Sequence, residues 1–182
     1  WGVSYCATCD GAFYRDKVVA VIGGGDSAVE EAIFLTKFAS KVYIIHRRDQ
    51  LRAVKILQER VLANKKIEII WDSVVQEIQG SDFVETLLMF NKKTKKTSEL
   101  PLDGVFIFVG IIPSSELVES RVDFDKQNFI KTDETMHTEI PGVYAAGDVT
   151  HKVLRQIVTA ASDGATAAFS AEKWIEENQD NF

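Results

Sequence analysis

Hydrophobic and polar positions along the first part of the chain follow two alternating rhythms. Residues 17 to 22, Lys-Val-Val-Ala-Val-Ile, form a short β-branched run that stops at three glycines, and apolar residues then recur at helical spacing from Ala28 to Phe38. The pattern predicts strand, tight turn and helix. Residues 41 to 46, Lys-Val-Tyr-Ile-Ile-His, repeat the strand signal. Arg52 to Ala63 repeats the helix signal through Val54, Leu57, Val61 and Leu62, and Ile67 to Trp71 adds a third strand. Strands alternating with helices at this period predict right-handed crossovers in a parallel sheet.

From Val74 to Phe90 the pattern is β-rich without helices, and Asn91 to Ser98 is a polar, lysine-heavy turn. This predicts an antiparallel ribbon inserted before the next buried strand, Gly104 to Val109. That strand stops at Gly110 with Pro113 close behind, so a domain crossing is expected at about residues 110 to 116, dividing the chain into 1–112 and 113–182. The second part offers a short edge-like piece at Phe129 to Lys131, an apolar run from Gly142 to Asp148, and an alanine-rich helix from about Val153 to Glu177. So few strands cannot readily build a core of their own. The expected fold is therefore α/β: a Rossmann-like three-layer ββα domain with an antiparallel ribbon, followed by the C-terminal part of a second domain of the same type.

Composition narrows the function. Of 182 residues, 21 are basic and 27 acidic, and the net charge of -6 disfavours long-range attraction to nucleic acid or anionic lipid. With 46% hydrophobic residues and no uninterrupted apolar run near the ~20 that a membrane-spanning helix needs, a soluble globular protein is expected. The lysines from Lys92 to Lys96 read as a solvated hairpin loop. The chain begins Trp1-Gly2-Val3-Ser4 with neither methionine nor signal architecture, which is expected of a cut or processed end. Its two cysteines, Cys6 and Cys9, are no framework for a secreted disulfide scaffold and suit a reducing cytoplasm with a working dithiol.

Two segments carry candidate chemistry. Gly23-Gly24-Gly25-Asp26-Ser27-Ala28 supplies the spacing G-x-G-x-x-A between a predicted strand and a predicted helix. Gly23 permits the tight turn, Gly25 lets backbone approach a pyrophosphate, and Ala28 lets helix and strand pack closely, with the helix N-terminus holding the anion. About twenty residues on, where an NAD enzyme would present an acid to the ribose, stand His46-Arg47-Arg48, with Arg52 expected one turn into the next helix. Guanidinium forks there suit a 2′-phosphate and favour NADPH over NADH, the bland alternative being surface charges on a loop. The second segment is Cys6-Ala7-Thr8-Cys9-Asp10. Thiols at this spacing close a small disulfide ring and can exchange disulfides by thiolate attack, with Asp10 either a general acid or a turn residue. Half of a zinc site is the competing reading, but it needs two more ligands, and His46, His137 and His151 are scattered. No metal is expected.

These runs, Cys-Ala-Thr-Cys-Asp-Gly-Ala-Phe-Tyr, Val-Ile-Gly-Gly-Gly-Asp-Ser-Ala-Val-Glu-Glu-Ala and Ile-His-Arg-Arg-Asp-Gln-Leu-Arg-Ala, resemble bacterial-type, low-molecular-weight thioredoxin reductases in order and spacing. So does Ile140-Pro-Gly-Val-Tyr-Ala-Ala-Gly-Asp148, with Arg155-Gln156 after it. The resemblance spans essentially the whole chain. It implies a homodimeric flavoprotein that holds NADPH in one domain and FAD in another and reduces the disulfide of thioredoxin or a similar small protein. It implies that Cys6 and Cys9 are the redox pair and Asp10 the proton donor; Cys9, next to Asp10, is expected to lie nearer the flavin, while the sequence leaves open which cysteine attacks the partner. By the same likeness Gly25, Asp26, Ser27, His46, Arg47, Arg48 and Arg52 contact NADPH. Asp148, following Gly147, bonds the ribityl chain, and Val149, Arg155, Gln156 and Ile157 line the isoalloxazine. A dithiol and a nicotinamide on one domain must meet the flavin in turn, and Gly110 and Pro113 suit a hinge.

The chain departs from that family in having one glycine fingerprint rather than two. About a third of the expected enzyme, with the FAD adenosine-diphosphate site, is therefore expected to be absent, and the chain alone is expected neither to hold FAD tightly nor to turn over. Two alternatives remain at this point: a related flavoenzyme serving a peroxidase or other dithiol protein, and a non-catalytic NADPH-binding module that senses redox state.

Overall fold

A computed structural model describes residues 1–118 and 121–178. The chain separates into two compact units, Trp1–Gly110 and Ile111–Phe182. The first contains strands β1 (Val3–Ser4), β2 (Val18–Gly23), β3 (Lys41–Ile45), β4 (Ile67–Ile70), β5 (Ser73–Gln79), β6 (Thr86–Asn91), β7 (Thr97–Pro101) and β8 (Gly104–Phe108). Its helices are α1 (Ala7–Asp10), α2 (Asp26–Leu35) and α3 (Lys55–Ala63).

A parallel sheet of order β1-β8-β2-β3-β4 forms the middle layer, and an antiparallel sheet β5-β6-β7 forms a second. Side chains on successive strand positions point to opposite faces, so the all-apolar β2 can serve two cores at once. Val19 and Val21 join Val42, Ile44 and Phe106 under Ala28, Val29, Ala32 and Leu35 of α2 and Leu57 and Val61 of α3. Ala20 and Val105 face the other way, onto Leu87 and Met89 of the antiparallel layer and Val84 and Leu102 in the segments that flank its strands. The result is the ββα sandwich that the alternation predicts. A bulge between Val75 and Glu77 shifts the β5–β6 register.

Four elements of the first unit differ from the sequence reading. The strand β1, two residues long and paired to β8, and the single helical turn α1 are too short for any periodicity to announce. The helix expected from Arg52 begins only at Lys55, because the Arg52 and Ala53 amides donate to the Gly24 carbonyl and the Val54 amide donates to Asp26 Oδ1 at 2.7 Å. Arg52 is thus a loop residue, not a helical one. The helix expected from Ala28 to Phe38 runs from Asp26 to Leu35.

Gly23 has φ 153°, and a Cβ there would lie 2.4 Å from the Phe108 carbonyl oxygen and 2.7 Å from Ala28 Cβ. Backbone on one side and a helix on the other leave nothing that can yield. Gly23→Ala is expected to destabilise the unit by about 3 kcal/mol, combining left-handed strain with overpacking. A denaturant melt showing a loss under about 1 kcal/mol would contradict this packing account.

In the second unit the apolar run from Gly142 to Asp148 forms no strand. Tyr144 makes a single antiparallel bridge to His137, and residues Gly147–Val149 form a 3-10 turn. Ile130 bridges Phe124 and Thr150 at the predicted edge piece. The long helix α4 (Ile157–Glu177) starts four residues later than the expected Val153, behind a capping box in which Gln156 and Thr159 satisfy each other's amides. None of its 21 residues is buried, and Ile157, Val158, Phe169 and Ile175 stand exposed. Among the described residues, both apolar clusters consist wholly of residues from the first unit. The second unit's buried hydrophobics among the described residues are Val122, Phe129 and Ile130.

Candidate functional site: a disulfide turn and a nucleotide turn

Cys6 and Cys9 are joined in a disulfide, with Cα atoms 5.3 Å apart. Cys6 caps the N-terminus of α1, and its Sγ accepts the Cys9 amide at 3.1 Å. The spacing therefore places both sulfurs on the first turn of a helix, where unpaired amides favour negative charge on sulfur. Cys9 is exposed and Cys6 half-buried. Ala7 between them is buried in the helix-side core, and α1 packs on α2.

Ser4, a residue the sequence reading passed over, organises this turn. Buried at the end of β1, it accepts the Cys6 amide at 3.1 Å and its hydroxyl faces Asp10 Oδ2 at 2.7 Å and the Cys6 carbonyl at 3.2 Å. Asp10 is thereby held beside the disulfide by a hydroxyl donor. Its charge is felt at Tyr14, whose pKa is raised by burial first and then by Asp10 and Asp103. The only sequence signal for Ser4 is its proximity to Cys6, and it becomes meaningful only once β1 pairs with β8.

At the glycine turn, Gly25 caps α2 and the first helical bond runs from the Val29 amide to Gly25 O. The amides of Asp26, Ser27 and Ala28 thus lie at the open helix start, the arrangement that receives phosphate. A Cβ on Gly25 would meet nothing closer than Arg52 Nη2 at 4.0 Å, so the approach to this turn is clear and Arg52 stands at its edge. Leu51 and Ala53 are buried while Arg52 between them is exposed, as are Arg47 and Arg48. The fold thus gathers three guanidinium-bearing residues on the loop that hydrogen-bonds to the glycine turn. These features fit a dinucleotide pyrophosphate and a 2′-phosphate.

Two of the predicted contacts have other tasks. The Asp26 carboxylate accepts the Val54 amide, so it pins the arginine loop rather than hanging free. His46 is buried, with Nδ1 3.1 Å from Gly23 O and Nε2 3.0 Å from Gln50 O. Both ring nitrogens are turned to backbone carbonyls.

In the second unit, the Asp148 side chain is exposed at the Gly147–Val149 turn. Gly147 (φ 81°) donates its amide to Asp163 Oδ2 of α4 at 3.0 Å, and Asp163 pairs with Lys152. Arg155 reaches back to the Asp148 carbonyl through Nε (3.2 Å) and to the Thr150 carbonyl through Nη2 (3.3 Å), stacked 3.8 Å above the Phe129 ring. His151 Nδ1 lies 2.6 Å from Asp125 Oδ2, and that bond is the main cause holding the Asp125 pKa down to about 2. Val149 and Gln156 are half-buried and Ile157 is exposed. The turn is therefore rigidly tied, with the Asp148 carboxylate presented outward.

Among the described residues, no group of three or more His, Cys, Asp or Glu side chains could hold a metal ion, and the two sulfurs are bonded to each other. No helix among them is long and apolar enough to cross a membrane.

Residues 1–164 match the family model described as pyridine nucleotide-disulphide oxidoreductase. The chain belongs to that family. It is 50% identical to a thioredoxin reductase of Peptoclostridium litorale over 97% of its own length and 58% of the relative's. A thioredoxin reductase of Bacillus subtilis is 47% identical, over 98% of this chain and 57% of the relative. Among solved structures, the thioredoxin reductase from Streptococcus pyogenes superposes with a TM-score of 0.92 at 54% identity, covering 97% of this chain and 58% of that one. The chain thus spans little more than half the length of the relatives it matches.

Proposed function

We propose that this chain is the nucleotide- and dithiol-bearing part of an NADPH-dependent flavoprotein disulfide reductase acting on thioredoxin. The observation that carries the reading is the Cys6–Cys9 disulfide on the same unit as a glycine turn edged by Arg47, Arg48 and Arg52. A bare nucleotide-binding module has no use for the first, and a simple dithiol protein none for the second. Similarity to thioredoxin reductases over 97% of the chain supports the combination.

In this reading Gly23 and Gly25 shape the turn, the amides at Asp26 and Ser27 hold the pyrophosphate, and Arg47, Arg48 and Arg52 hold the 2′-phosphate. The exposed Asp148 carboxylate, with Gly147, Val149, Arg155, Gln156 and Ile157, fits the ribityl and ring end of FAD. The chain has no second glycine turn for the FAD pyrophosphate. Bound flavin supplies the two-electron link between nicotinamide and disulfide. Breaking the Cys6–Cys9 bond takes up two electrons and, on full reduction, two protons. One freed thiolate attacks the partner's disulfide, the mixed disulfide is resolved by the other, and the partner leaves as a dithiol. The net change is NADPH, a proton and a partner disulfide giving NADP+ and a partner dithiol. Asp10, anchored by Ser4, is the group placed to deliver a proton beside Cys9, which we assign to the flavin side, leaving Cys6 to attack the partner. A homodimer in the cytoplasm completes the proposal.

The test is made on the complete protein from which this chain derives. It is expected to be yellow, to bleach with NADPH far more readily than with NADH, and then to reduce thioredoxin. A yellow protein that NADPH does not bleach refutes the reductase assignment. Bleaching without thioredoxin reduction, but with reduction of a peroxidase dithiol, replaces the partner.

A further inference from the structure

Two carbonyl oxygens flank the His46 ring, Gly23 O at Nδ1 and Gln50 O at Nε2. A carbonyl oxygen only accepts, and a neutral imidazole carries a single N–H. The neutral ring therefore serves one carbonyl and turns a lone pair toward the other; only the imidazolium donates to both. The ring is buried and lies close against Gly24, where a Cβ would be 2.2 Å from Nδ1, with the Trp71 ring on another side at 6.3 Å between centroids. Its two acceptors belong to the two halves of the nucleotide site: Gly23 opens the glycine turn, and Gln50 lies in the loop between Arg48 and Arg52.

The charged groups facing the ring are Arg52 and Arg48. Burial lowers the His46 pKa most, the Gln50 and Gly23 carbonyls raise it, and the two arginines lower it further, leaving it below the ordinary histidine value. The geometry asks for a charged ring while burial and the local field oppose one. A 2′-phosphate brings about 1.5 to 2 negative charges into that field and cancels it.

Resting on the assignment of the arginine loop to a 2′-phosphate, we propose that His46 is a positioning residue whose protonated ring ties the glycine turn to the arginine loop, and that binding of a 2′-phosphorylated nucleotide is accompanied by uptake of a proton at His46. The proton comes from solvent and stays on the ring. Both carbonyls then receive hydrogen bonds, and the two phosphate sites are locked at the spacing of one nucleotide. The sign follows from linkage: a group whose pKa rises on binding makes affinity fall as pH rises through its titration range.

Titration calorimetry of the chain with NADP+ and with NAD+, in buffers of different ionisation enthalpy between about pH 6.5 and 8.5, counts the protons. We expect uptake with NADP+ and essentially none with NAD+. His46→Asn keeps a donor near Nδ1 and His46→Gln keeps one near Nε2, and neither titrates. Both are expected to abolish the uptake, to flatten the pH dependence, and to weaken NADP+ about tenfold while changing NAD+ no more than about twofold, as loss of one hydrogen bond would. The phosphate's own titration is common to wild type and variants and subtracts out.

A wild-type protein that prefers NADP+ yet takes up no proton overturns the role of His46 and leaves the 2′-phosphate assignment standing. A folded variant that retains the uptake does the same. Equal binding of NADP+ and NAD+ by the wild type refutes the 2′-phosphate assignment, and the inference falls with it. Should either variant fail to fold, the wild-type proton count decides without it.

Discussion

Cys6→Ser, Cys9→Ser and the double variant of the complete protein are all expected to lose disulfide reductase activity by roughly a thousandfold or more, and to sit at the same floor. The two sulfurs act as one unit: without either there is no bond to break and no second thiol to resolve a mixed disulfide. Losses that add between the single variants would mean that each cysteine works alone. Bleaching by NADPH should survive in all three, because hydride delivery does not pass through sulfur. The single variants also separate the roles of the thiols. Cys9→Ser should trap a covalent mixed disulfide with thioredoxin carrying a matching single thiol, and Cys6→Ser should not; the opposite result reverses our assignment of the attacking thiol. Structural damage is a minor concern, since a four-residue ring constrains the unfolded chain by only about 2 kcal/mol.

The second large effect concerns nucleotide choice. Charge-assisted hydrogen bonds contribute about 1.5 to 3 kcal/mol each, and both guanidinium groups are exposed, which argues for the lower end. Replacing Arg47 and Arg48 together by glutamine should therefore cost NADPH about 3 kcal/mol, or roughly a hundredfold in its KM, and leave NADH within about twofold. The loss should shrink at high salt, where exposed charges are screened. An unchanged ratio of NADPH to NADH affinities would remove the arginine loop from the 2′-phosphate site. A parallel loss for both nucleotides would mean that the loop shapes the pocket without reading the phosphate.

The two sides of the site differ in how they are supported. The glycine turn and the arginine loop are bound to each other by backbone: Gly24 O receives two amides, Asp26 receives a third, and His46 spans the remaining gap. Such a connected set holds the glycine turn beside the arginine loop before any ligand arrives, which lowers the ordering cost of the proposed nucleotide binding, and protonation of His46 on binding is proposed to complete it. The disulfide turn depends on one hydroxyl, that of Ser4, for the placement of Asp10. Both sets of ties were invisible to motif reading, yet they decide what the motif residues do.

How much of this could be read from residues follows from where the information lies. The strand β2 and helix α2 were legible because their apolar periods extend over several residues, and the G-x-G-x-x-A spacing between them carries its own steric reason: a Cβ at Gly23 has nowhere to go. Arg47 and Arg48 were legible because the end of a second Rossmann strand always lies near the first glycine turn. The disulfide ring was legible from a spacing of three. By contrast, Arg52 leaves the helical pattern because Gly24 O and Asp26 Oδ1 capture the amides at residues 52 to 54, partners more than twenty positions away in the chain. His46 looks like a ligand in the run His-Arg-Arg and becomes a brace only when β3 is set beside β2 and the ring meets two carbonyls. Ser4 gains its partner through a strand of two residues. Local periodicity and steric rules act within a few residues, and they decided the elements, the turn and the reactive pair. Burial, and the hydrogen bonds that buried polar groups must find, depend on neighbours brought together by folding, and these decided which of those side chains stand exposed beside the turn and which are tied to backbone.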